Sequence, residues 1–297
     1  MAARPAPPIP TTELAGLLLV DKPAGITSHD AVAHVRRATH ARRVGHAGTL
    51  DPFATGLLVV VVGRGTRLMP YIDGEPKVYE AVIAFGAETD TDDVTGTITR
   101  TGDVPNDAAI ARAIAQLTGR IEQLPPTYSA KQVGGVRAYA AARRGAPLAL
   151  EPSTVTVFEW RLGARTGDHV SARITCSGGT YIRALARDLG RAAGSAAHLV
   201  SLRRVASGAF SVEDADSLDD LDAGRFTLRP LLDAVPRLAV QTIDASELGR
   251  VAHGNPIAAR VDGETVALVH EAQLSAVAVR TSGGLQPKVV LIDTWPS

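Results

Sequence analysis

The sequence predicts an α+β fold with a mixed, largely antiparallel sheet, followed by a small β-barrel at the C-terminal end. Helical and strand-like segments are interspersed without a regular βαβ alternation over most of the chain. From about residue 238, short apolar segments recur with turn residues between them, a pattern typical of small barrels. With 297 residues, 45% of them hydrophobic, the chain can form roughly two domains with a sizeable core.

The elements of the larger domain are predicted from local patterns. Strands are expected where apolar, β-branched or aromatic runs end at turn residues, namely at residues 17–20, 56–62, 77–85, 153–161, 170–176 and 199–205. Helices are expected between capping residues and terminal glycines, namely at residues 28–38, 106–119, 136–144 and 180–193. Ser28 is the predicted cap of the first helix. Residues 87–96 are acidic and are predicted to form a solvated loop.

The pattern changes near residue 235, which predicts a domain boundary. An acidic stretch at 211–222 and a proline-bounded stretch at 230–236 precede the change. Beyond it, short strands are predicted at 238–243, 266–269, 276–279 and 289–292, with a helix at 245–252. We therefore predict three parts, which are a flexible proline-rich tail over 1–15, a first domain over 16–235 and a barrel domain over 236–297.

Composition excludes several classes of function. Cys176 is the only cysteine, so the chain forms no internal disulfide and no cysteine-based zinc site, which favours a cytoplasmic location. We find no signal-peptide pattern, and the apolar runs are too short to span a membrane. Walker, Rossmann and metal-ligand patterns are missing too, so we expect no cofactor and no metal.

The formal net charge is zero, but charge is clustered along the chain. Residues 161–208 hold eight Lys or Arg against two Asp or Glu, whereas residues 71–104 hold two against eight. Clustered positive charge is the expected footprint of phosphate contacts, so the basic blocks indicate a nucleic-acid partner. A genome that favours arginine codons is the alternative explanation of the many arginines.

The most informative segment is residues 45–58, GHAGTLDPFATGLL. It places one carboxylate, Asp51, in a loop rich in glycine and threonine, directly before Pro52 and the long apolar strand. Taken alone, this spacing fits a structural turn, in which Asp51 would bond to nearby backbone N–H groups. It also fits a catalytic carboxylate held at the mouth of a buried strand.

Residues 45–67 resemble the catalytic motif of the TruB family of tRNA pseudouridine-55 synthases, in which the aspartate of GTLDP is catalytic. Further segments resemble the family's DKPxGxTS, K-x-Y and CSxGTYIR motifs, at residues 21–28, 77–79 and 176–183. The resemblance is strong over about 17–210. It is weak over 238–297, where HGNPI and the strand spacing are similar to the PUA domain. The implied fold is a pseudouridine synthase catalytic domain followed by a PUA-like β-barrel.

The resemblance implies roles for three residues at the centre of the site. Asp51 would attack C1′ of a flipped-out uridine or remove its C2′ proton, and Arg183 would pair with Asp51. Tyr79 would stack on the base and assist removal of the C5 proton. From the residues alone, Arg183 fits a solvated helix cation, and Tyr79 fits a half-buried strand residue.

Other residues are implied to hold the RNA. His46 would insert into the RNA stack, Lys22 would steady the active-site loop, and Leu202 would wall the pocket beside Tyr181. The residues alone leave alternatives. His46 could be an ordinary loop histidine or contact a phosphate, Lys22 could contact a phosphate, and Leu202 could simply belong to the strand core. A segment at about 124–152 resembles the family's RNA-clamping thumb, whose basic residues would meet phosphates, namely Lys131, Arg137, Arg143 and Arg144.

The implied activity is isomerisation of uridine to pseudouridine at position 55, in the T-arm loop of tRNA. The implied enzyme is a monomer that needs no protein partner and does not associate with a membrane. Two alternatives stay open, a guide-RNA-dependent catalytic subunit of the H/ACA type and a non-catalytic protein that binds or folds tRNA. The thumb-like segment favours the stand-alone enzyme over the first, and the intact Asp51, Tyr79 and Arg183 favour an enzyme over the second.

Overall fold

The computed structural model describes residues 14–292, apart from 73, 130, 134–135, 143, 145 and 147. Most of the predicted tail, residues 1–13, lies outside the described residues. The strands are β1 Gly16–Lys22, β2 Val44–Ala47, β3 Thr55–Val62, β4 Lys77–Phe85, β5 Ala87–Thr89, β6 Ile98–Thr101, β7 Gly119–Gln123, β8 Gln132–Val133, β9 Val136–Arg137, β10 Ser153–Thr166, β11 His169–Cys176, β12 Ala197–Ser207, β13 Phe210–Ser211, β14 Asp216–Ser217, β15 Ala239–Thr242, β16 Thr265–His270, β17 Gln273–Thr281 and β18 Gly284–Val290. The α-helices are α1 Ser28–Thr39, α2 Asp107–Gln116, α3 Ala138–Ala142, α4 Ile182–Ala192, α5 Leu218–Asp222 and α6 Ala245–Ala252.

Ten strands form one mixed sheet. Its main path runs β14-β1-β3-β12-β4-β11-β10-β7, with β13 paired to β12 and β2 paired to β3. Only β1 with β14 and β12 with β3 pair in parallel within the described part of this sheet. The predicted α+β class with a mixed, largely antiparallel sheet is therefore confirmed.

Strands β1 and β3 lie inside the sheet, and both of their faces are covered. Leu17 and Leu19 face one apolar cluster, which also contains residues of the C-terminal sheet. Leu18 and Val20 face the other cluster, which α1 and α5 cover. Strand side chains alternate between faces, so a strand buried on both sides needs the continuous apolar run seen in the sequence.

Helix α4 covers the other half of the sheet and carries the site described below. Its apolar residues Leu185 and Leu189 pack with Ile83 of β4, Ile174 of β11 and Leu199 of β12 in one cluster. Helix α2 adds residues to the same cluster. The packing holds the first turn of α4 against the middle of the sheet.

Several local predictions need correction. The cap of α1 is Thr27, which forms a capping box with Asp30, and Ser28 is the first helical residue. Residues 87–96 do not form only a loop, because β5 pairs with β6 in a hairpin. Strands β2 and β7 were not predicted, and the predicted helix over 136–144 is shorter, since its first two residues belong to the β8–β9 hairpin.

The C-terminal region forms a four-stranded sheet in the order β15-β16-β17-β18. Strand β15 is parallel to β16, and the other two pairings are antiparallel. Helix α6 is capped by Asp244, whose side chain forms a capping box with Glu247. Hydrogen bonding among the described strands does not close this sheet into a barrel, so only a small β-rich unit is confirmed here.

No helix within the described residues is both long and apolar enough to cross a membrane.

The packing of Gly56 gives a direct test of the strand arrangement. Gly56 has φ +101°, and a Cβ there would lie 2.3 Å from the carbonyl oxygen of Arg204. We expect Gly56→Ala to destabilise the fold by at least about 2 kcal/mol, because both the backbone conformation and the contact are unfavourable for alanine. Chemical denaturation measures this change.

Gly249→Ala is the matched control, because Gly249 lies within α6 and has open space at its Cβ position. It should leave stability unchanged or raise it by up to about 1 kcal/mol. Equal stability of Gly56→Ala and the parent chain would contradict the described pairing of β3 with β12.

Candidate active site

The loop between β2 and β3 holds Asp51 through backbone hydrogen bonds. The Ser28 hydroxyl accepts a bond from the Leu50 N–H at 2.9 Å and lies 3.1 Å from the Leu50 carbonyl oxygen. The Gly25 N–H donates to the Pro52 carbonyl at 2.8 Å, and the Ala54 N–H donates to the Asp51 carbonyl at 3.1 Å. Contacts on both sides of Asp51 therefore tie this loop to the start of α1.

Lys22 also connects the Asp51 loop to the segment before α1. Its side chain is fully buried, and Nζ donates to the carbonyls of Pro23 at 2.8 Å, Ile26 at 2.9 Å and Pro52 at 3.4 Å. Burial lowers the pKa of Lys22 to about 8, and the nearby Asp51 opposes that shift. These contacts fit the interpretation that Lys22 steadies the loop, since a fully buried ammonium group is not placed to reach a phosphate.

Arg183 clamps the carboxylate of Asp51 with two hydrogen bonds. Nε donates to one carboxylate oxygen at 2.8 Å, and Nη2 donates to the other at 3.1 Å. The arginine side chain is 4% exposed and the aspartate side chain is 37% exposed. A planar fork of this kind fixes the orientation of a carboxylate better than a single contact does. One carboxylate is thus held rigidly while part of it stays open to solvent.

The other N–H groups of Arg183 reach two further segments. Nη1 donates to the carbonyl of Thr91 and Nη2 to that of Tyr128, both at 2.8 Å. Thr91 lies in the loop between β5 and β6, and Tyr128 lies between β7 and β8. The guanidinium group therefore connects three parts of the chain that are distant in sequence.

The basic face of α4 is largely neutralised inside the protein. Arg187 pairs with Asp92 at 2.9 Å, and Arg191 pairs with Glu88 at 2.7 Å. The acidic segment predicted as a solvated loop therefore supplies partners for this helix. Much of the positive charge in residues 161–208 is thus an internal ion-pair network, and not a free surface for phosphates.

A pocket of about 250 Å³ opens beside Asp51. Asp51 lines this pocket together with four other predicted site residues, namely Tyr79, Tyr181, Arg183 and Leu202. Tyr79 is 6% exposed, and burial raises its pKa. Leu202 is equally buried on β12. The pocket therefore combines one open carboxylate with aromatic and apolar walls.

Comparison with known proteins decides the family. The sequence-family model "TruB family pseudouridylate synthase (N terminal domain)" matches residues 36–182. The family model "tRNA pseudouridylate synthase B C-terminal domain" matches residues 183–236. The chain belongs to the TruB family. As a member of this family it is an isomerase, and the resemblance stated from the motifs is confirmed.

Relatives in the TruB family match over nearly the whole chain. The chain is 47% identical to "tRNA pseudouridine synthase B" of Thermobifida fusca, over 93% of this chain and 98% of the relative. It is 43% identical to the protein of the same name from Paenarthrobacter aurescens, over 83% and 82%. A solved structure of an H/ACA RNP bound to a substrate RNA shares the fold with a TM-score of 0.70, at 24% identity over 94% of this chain and 85% of that one.

Other predicted residues of this TruB-family site make contacts with several different segments. The side chain of Gln123 holds the backbone of Tyr181, with bonds of 2.8 and 3.1 Å, at the start of α4. His46 lies on β2 with its ring 5.9 Å from that of His29, and burial lowers its pKa. Lys131 donates to the Glu151 carbonyl at 3.0 Å, which ties the two ends of the thumb-like segment.

The other predicted thumb residues are three arginines. Arg137 belongs to β9, and its backbone pairs with Gln132. Arg144 is exposed, and Arg143 lies outside the described residues. The roles of the thumb residues stay predictions.

Sequence reasoning missed two cations at the pocket. Lys77 lines the pocket, and the fully buried Arg204 lies behind it next to Tyr79. A signal for Arg204 was present, since it follows Leu202 by two residues and therefore shares its strand face. Among the described residues, no group of three His, Cys, Asp or Glu side chains is arranged to hold a metal ion.

Arg183→Lys tests the clamp. A lysine cannot bond both carboxylate oxygens and two carbonyls at once, so Asp51 would lose its fixed orientation. We expect the rate of pseudouridine formation under saturating conditions to fall about 100-fold. Single-turnover kinetics on a tRNA transcript, with a thermal melt as a folding check, measure the effect.

Arg191→Lys is the matched control on the same helix, since Arg191 bonds Glu88 away from the pocket. It should keep nearly the full rate. If the two variants lose activity equally, the Arg183 clamp has no special role.

Proposed function

We propose that this chain converts uridine to pseudouridine at position 55, in the T-arm loop of tRNA, with Asp51 as the group that acts on the ribose. The observation that carries this proposal is the bidentate Asp51–Arg183 pair, which holds the carboxylate in a fixed orientation at a pocket. A structural turn residue would not need a buried guanidinium group aimed at it. The names of the relatives, tRNA pseudouridine synthase B, support tRNA as the substrate.

The proposed reaction moves one base without any oxidant or imported group. As the N1–C1′ bond breaks, its electron pair leaves with the base, and a carboxylate oxygen of Asp51 either bonds to C1′ or removes the C2′ proton. The base turns and C5 bonds to C1′. In the first route this breaks the bond between C1′ and the carboxylate, and in the second Asp51 returns its proton to C2′. C5 then loses its proton and N1 gains one, so the atoms of the product equal those of the substrate.

The target uridine must leave the RNA stack to reach Asp51, because a stacked nucleotide cannot enter a pocket. In our proposal Tyr79 stacks on the flipped base and assists loss of the C5 proton. Leu202 and Tyr181 close the pocket around that base. The burial of Tyr79 and Leu202 supports these roles, since both present apolar surface toward a small cavity.

Residues outside the pocket would hold the RNA. His46 lies on the strand that leads into the Asp51 loop, a position that suits insertion at the vacated site of the base. Lys131 and Arg137 would meet phosphates from the thumb-like segment. Lys22 would act only through the loop that it anchors.

We also propose a division of the chain into a catalytic domain over 16–235, with a thumb insertion at about 124–152, and a PUA-like RNA-binding domain over 236–297. The separate C-terminal sheet and its capped helix support the second unit. In this proposal the enzyme works as a cytoplasmic monomer with no obligatory protein partner.

A guide-RNA-dependent enzyme is the second candidate, because H/ACA complexes share the fold. A single assay separates the candidates. The purified protein alone is incubated with a tRNA transcript that carries tritium at uridine C5, and release of tritium is followed. We expect release from the parent transcript and none when uridine 55 is replaced by cytidine. Activity that appears only after a guide RNA is added would contradict our proposal.

Asp51→Asn tests the catalytic assignment. The amide has nearly the same shape but is a poor nucleophile and base, so turnover should fall on the order of 10⁴-fold or more. Binding of tRNA, measured by filter retention, should stay close to that of the parent. Exposed Asp219 on α5 offers the matched control Asp219→Asn, which should keep full turnover. Parallel loss of binding and turnover in Asp51→Asn would refute the assignment.

A further inference from the structure

Two cations share one wall of the pocket, and neither belongs to the Asp51–Arg183 pair. A Cβ added to Gly48 would lie 3.2 Å from Nζ of Lys77 and 3.3 Å from Nη1 of Arg204. The two nitrogens therefore converge on one point. Gly48 and Lys77 line the pocket together with Asp51 and Tyr79. The absence of a side chain at Gly48, where φ is +87°, leaves that point open.

Nη1 of Arg204 has no hydrogen-bond acceptor among the residues that the structure describes. Arg204 is fully buried, with Nε bonded to the Leu57 carbonyl at 2.7 Å and Nη2 to the Gly48 carbonyl at 3.0 Å, but its Nη1 is unpaired. Lys77 is half-buried and lines the pocket, and its Nζ lies close to the same point. Buried donors are normally satisfied, so the unpaired Nη1 of Arg204 beside the pocket indicates a place for a ligand oxygen.

The electrostatics of this wall favour an anion. Burial and the neighbouring Arg204 lower the pKa of Lys77, whereas Cys176 and Glu75 raise it. Burial raises the pKa of Cys176 to about 11, so that thiol is neutral. Asp51, the carboxylate within the pocket, is already bonded to Arg183. The wall therefore carries surplus positive charge, which new negative charge in the pocket would relieve.

We propose that Lys77, backed by Arg204, binds a carbonyl oxygen of the flipped uracil and stabilises the negative charge that this base carries while its bond to the ribose is broken. The inference rests on the proposed function. When the N1–C1′ bond breaks, the electron pair stays on the base and spreads onto its carbonyl oxygens. This holds whether Asp51 attacks C1′ or removes the C2′ proton. Lys77 is then a catalytic residue, and Arg204 is a positioning residue.

Depth in the pocket separates a base oxygen from a phosphate oxygen as the occupant. Tyr79, which pairs with Arg204 across β4 and β12, is 6% exposed, and Arg204 is not exposed at all. A flipped base enters such a pocket edge first, whereas its phosphates stay with the RNA backbone at the mouth. Lys77 at this pocket therefore meets the base and not a phosphate. Burial disfavours the charged form of Lys77, so its ammonium group is stabilised most when negative charge develops beside it. The contact therefore stabilises the transition state more than the bound substrate.

Lys77→Met tests this role. Loss of one donor to a developing oxyanion typically costs 10²–10³ in rate, so we expect the saturating single-turnover rate to fall about 100-fold. The dissociation constant of tRNA should change by less than about 2-fold, because a contact specific to the transition state adds little to ground-state binding. Lys77→Gln keeps a neutral donor and should recover part of the rate. If Lys77→Met does not fold, the comparison between Lys77→Gln and the parent carries the test.

A substrate change distinguishes this role from simple support of the fold. Fluorine at C5 withdraws electrons and makes the uracil anion more stable. The rate loss caused by Lys77→Met should therefore be clearly smaller on 5-fluorouridine tRNA than on uridine tRNA, with loss of 5-fluorouridine from the digested RNA as the readout. Arg173→Met is the matched control, since Arg173 is a cation of the neighbouring strand that pairs with Glu80 on the opposite face. It should keep the parent rate on both substrates.

Three results would overturn the inference. They are an unchanged rate for Lys77→Met, an equal rate loss on both substrates, or a loss of tRNA affinity with an altered salt slope, which would indicate a phosphate contact. An active Lys77→Met beside an inactive Asp51→Asn would refute this inference and leave the proposed function intact. A parent chain that is inactive on tRNA would instead refute the proposed function.

Discussion

The bidentate ion pair between Asp51 and Arg183 is the interaction on which the rest of the site depends. It joins a loop near the start of the chain to a helix 132 residues later. An arginine that is 4% exposed is costly unless every N–H finds an acceptor. The chain meets this requirement by turning the carbonyls of Thr91 and Tyr128 toward the same guanidinium group. The fold thus gives one carboxylate a fixed orientation while part of it stays exposed to the pocket.

Charge in this protein is arranged in two layers. The arginines of α4 are paired with acidic residues of the segment between β4 and α2, so they hold the helix and the hairpin together. Lys77 and Arg204 lie beyond that network, and Nη1 of Arg204 has no acceptor among the described residues. The contrast separates structural cations from those available to a substrate, a distinction that the net charge of zero hides.

Local patterns predicted most of the fold, and long-range contacts decided what they missed. The apolar run of β3 identified a buried strand, because both of its faces are covered. The acidic composition of residues 87–96 suggested solvent, whereas their partners lie about 95 residues away on α4. Ser28 and Thr27 are both good capping residues. Thr27 forms the capping box with Asp30, whereas the Ser28 hydroxyl bonds the distant Leu50. The pairing of Asp51 with Arg183 came from family resemblance, and Arg204 was missed because a strand arginine is usually exposed.

A structure of the protein bound to a T-arm stem-loop that contains 5-fluorouridine at position 55 tests the central claim most directly. Our account predicts a flipped nucleotide in the pocket, with C1′ about 3–3.5 Å from a carboxylate oxygen of Asp51, or joined to it. Both hydrogen bonds from Arg183 to Asp51 should be retained. A target base that stays stacked in the RNA, or an Asp51 turned away from both the ribose and Arg183, would contradict the account.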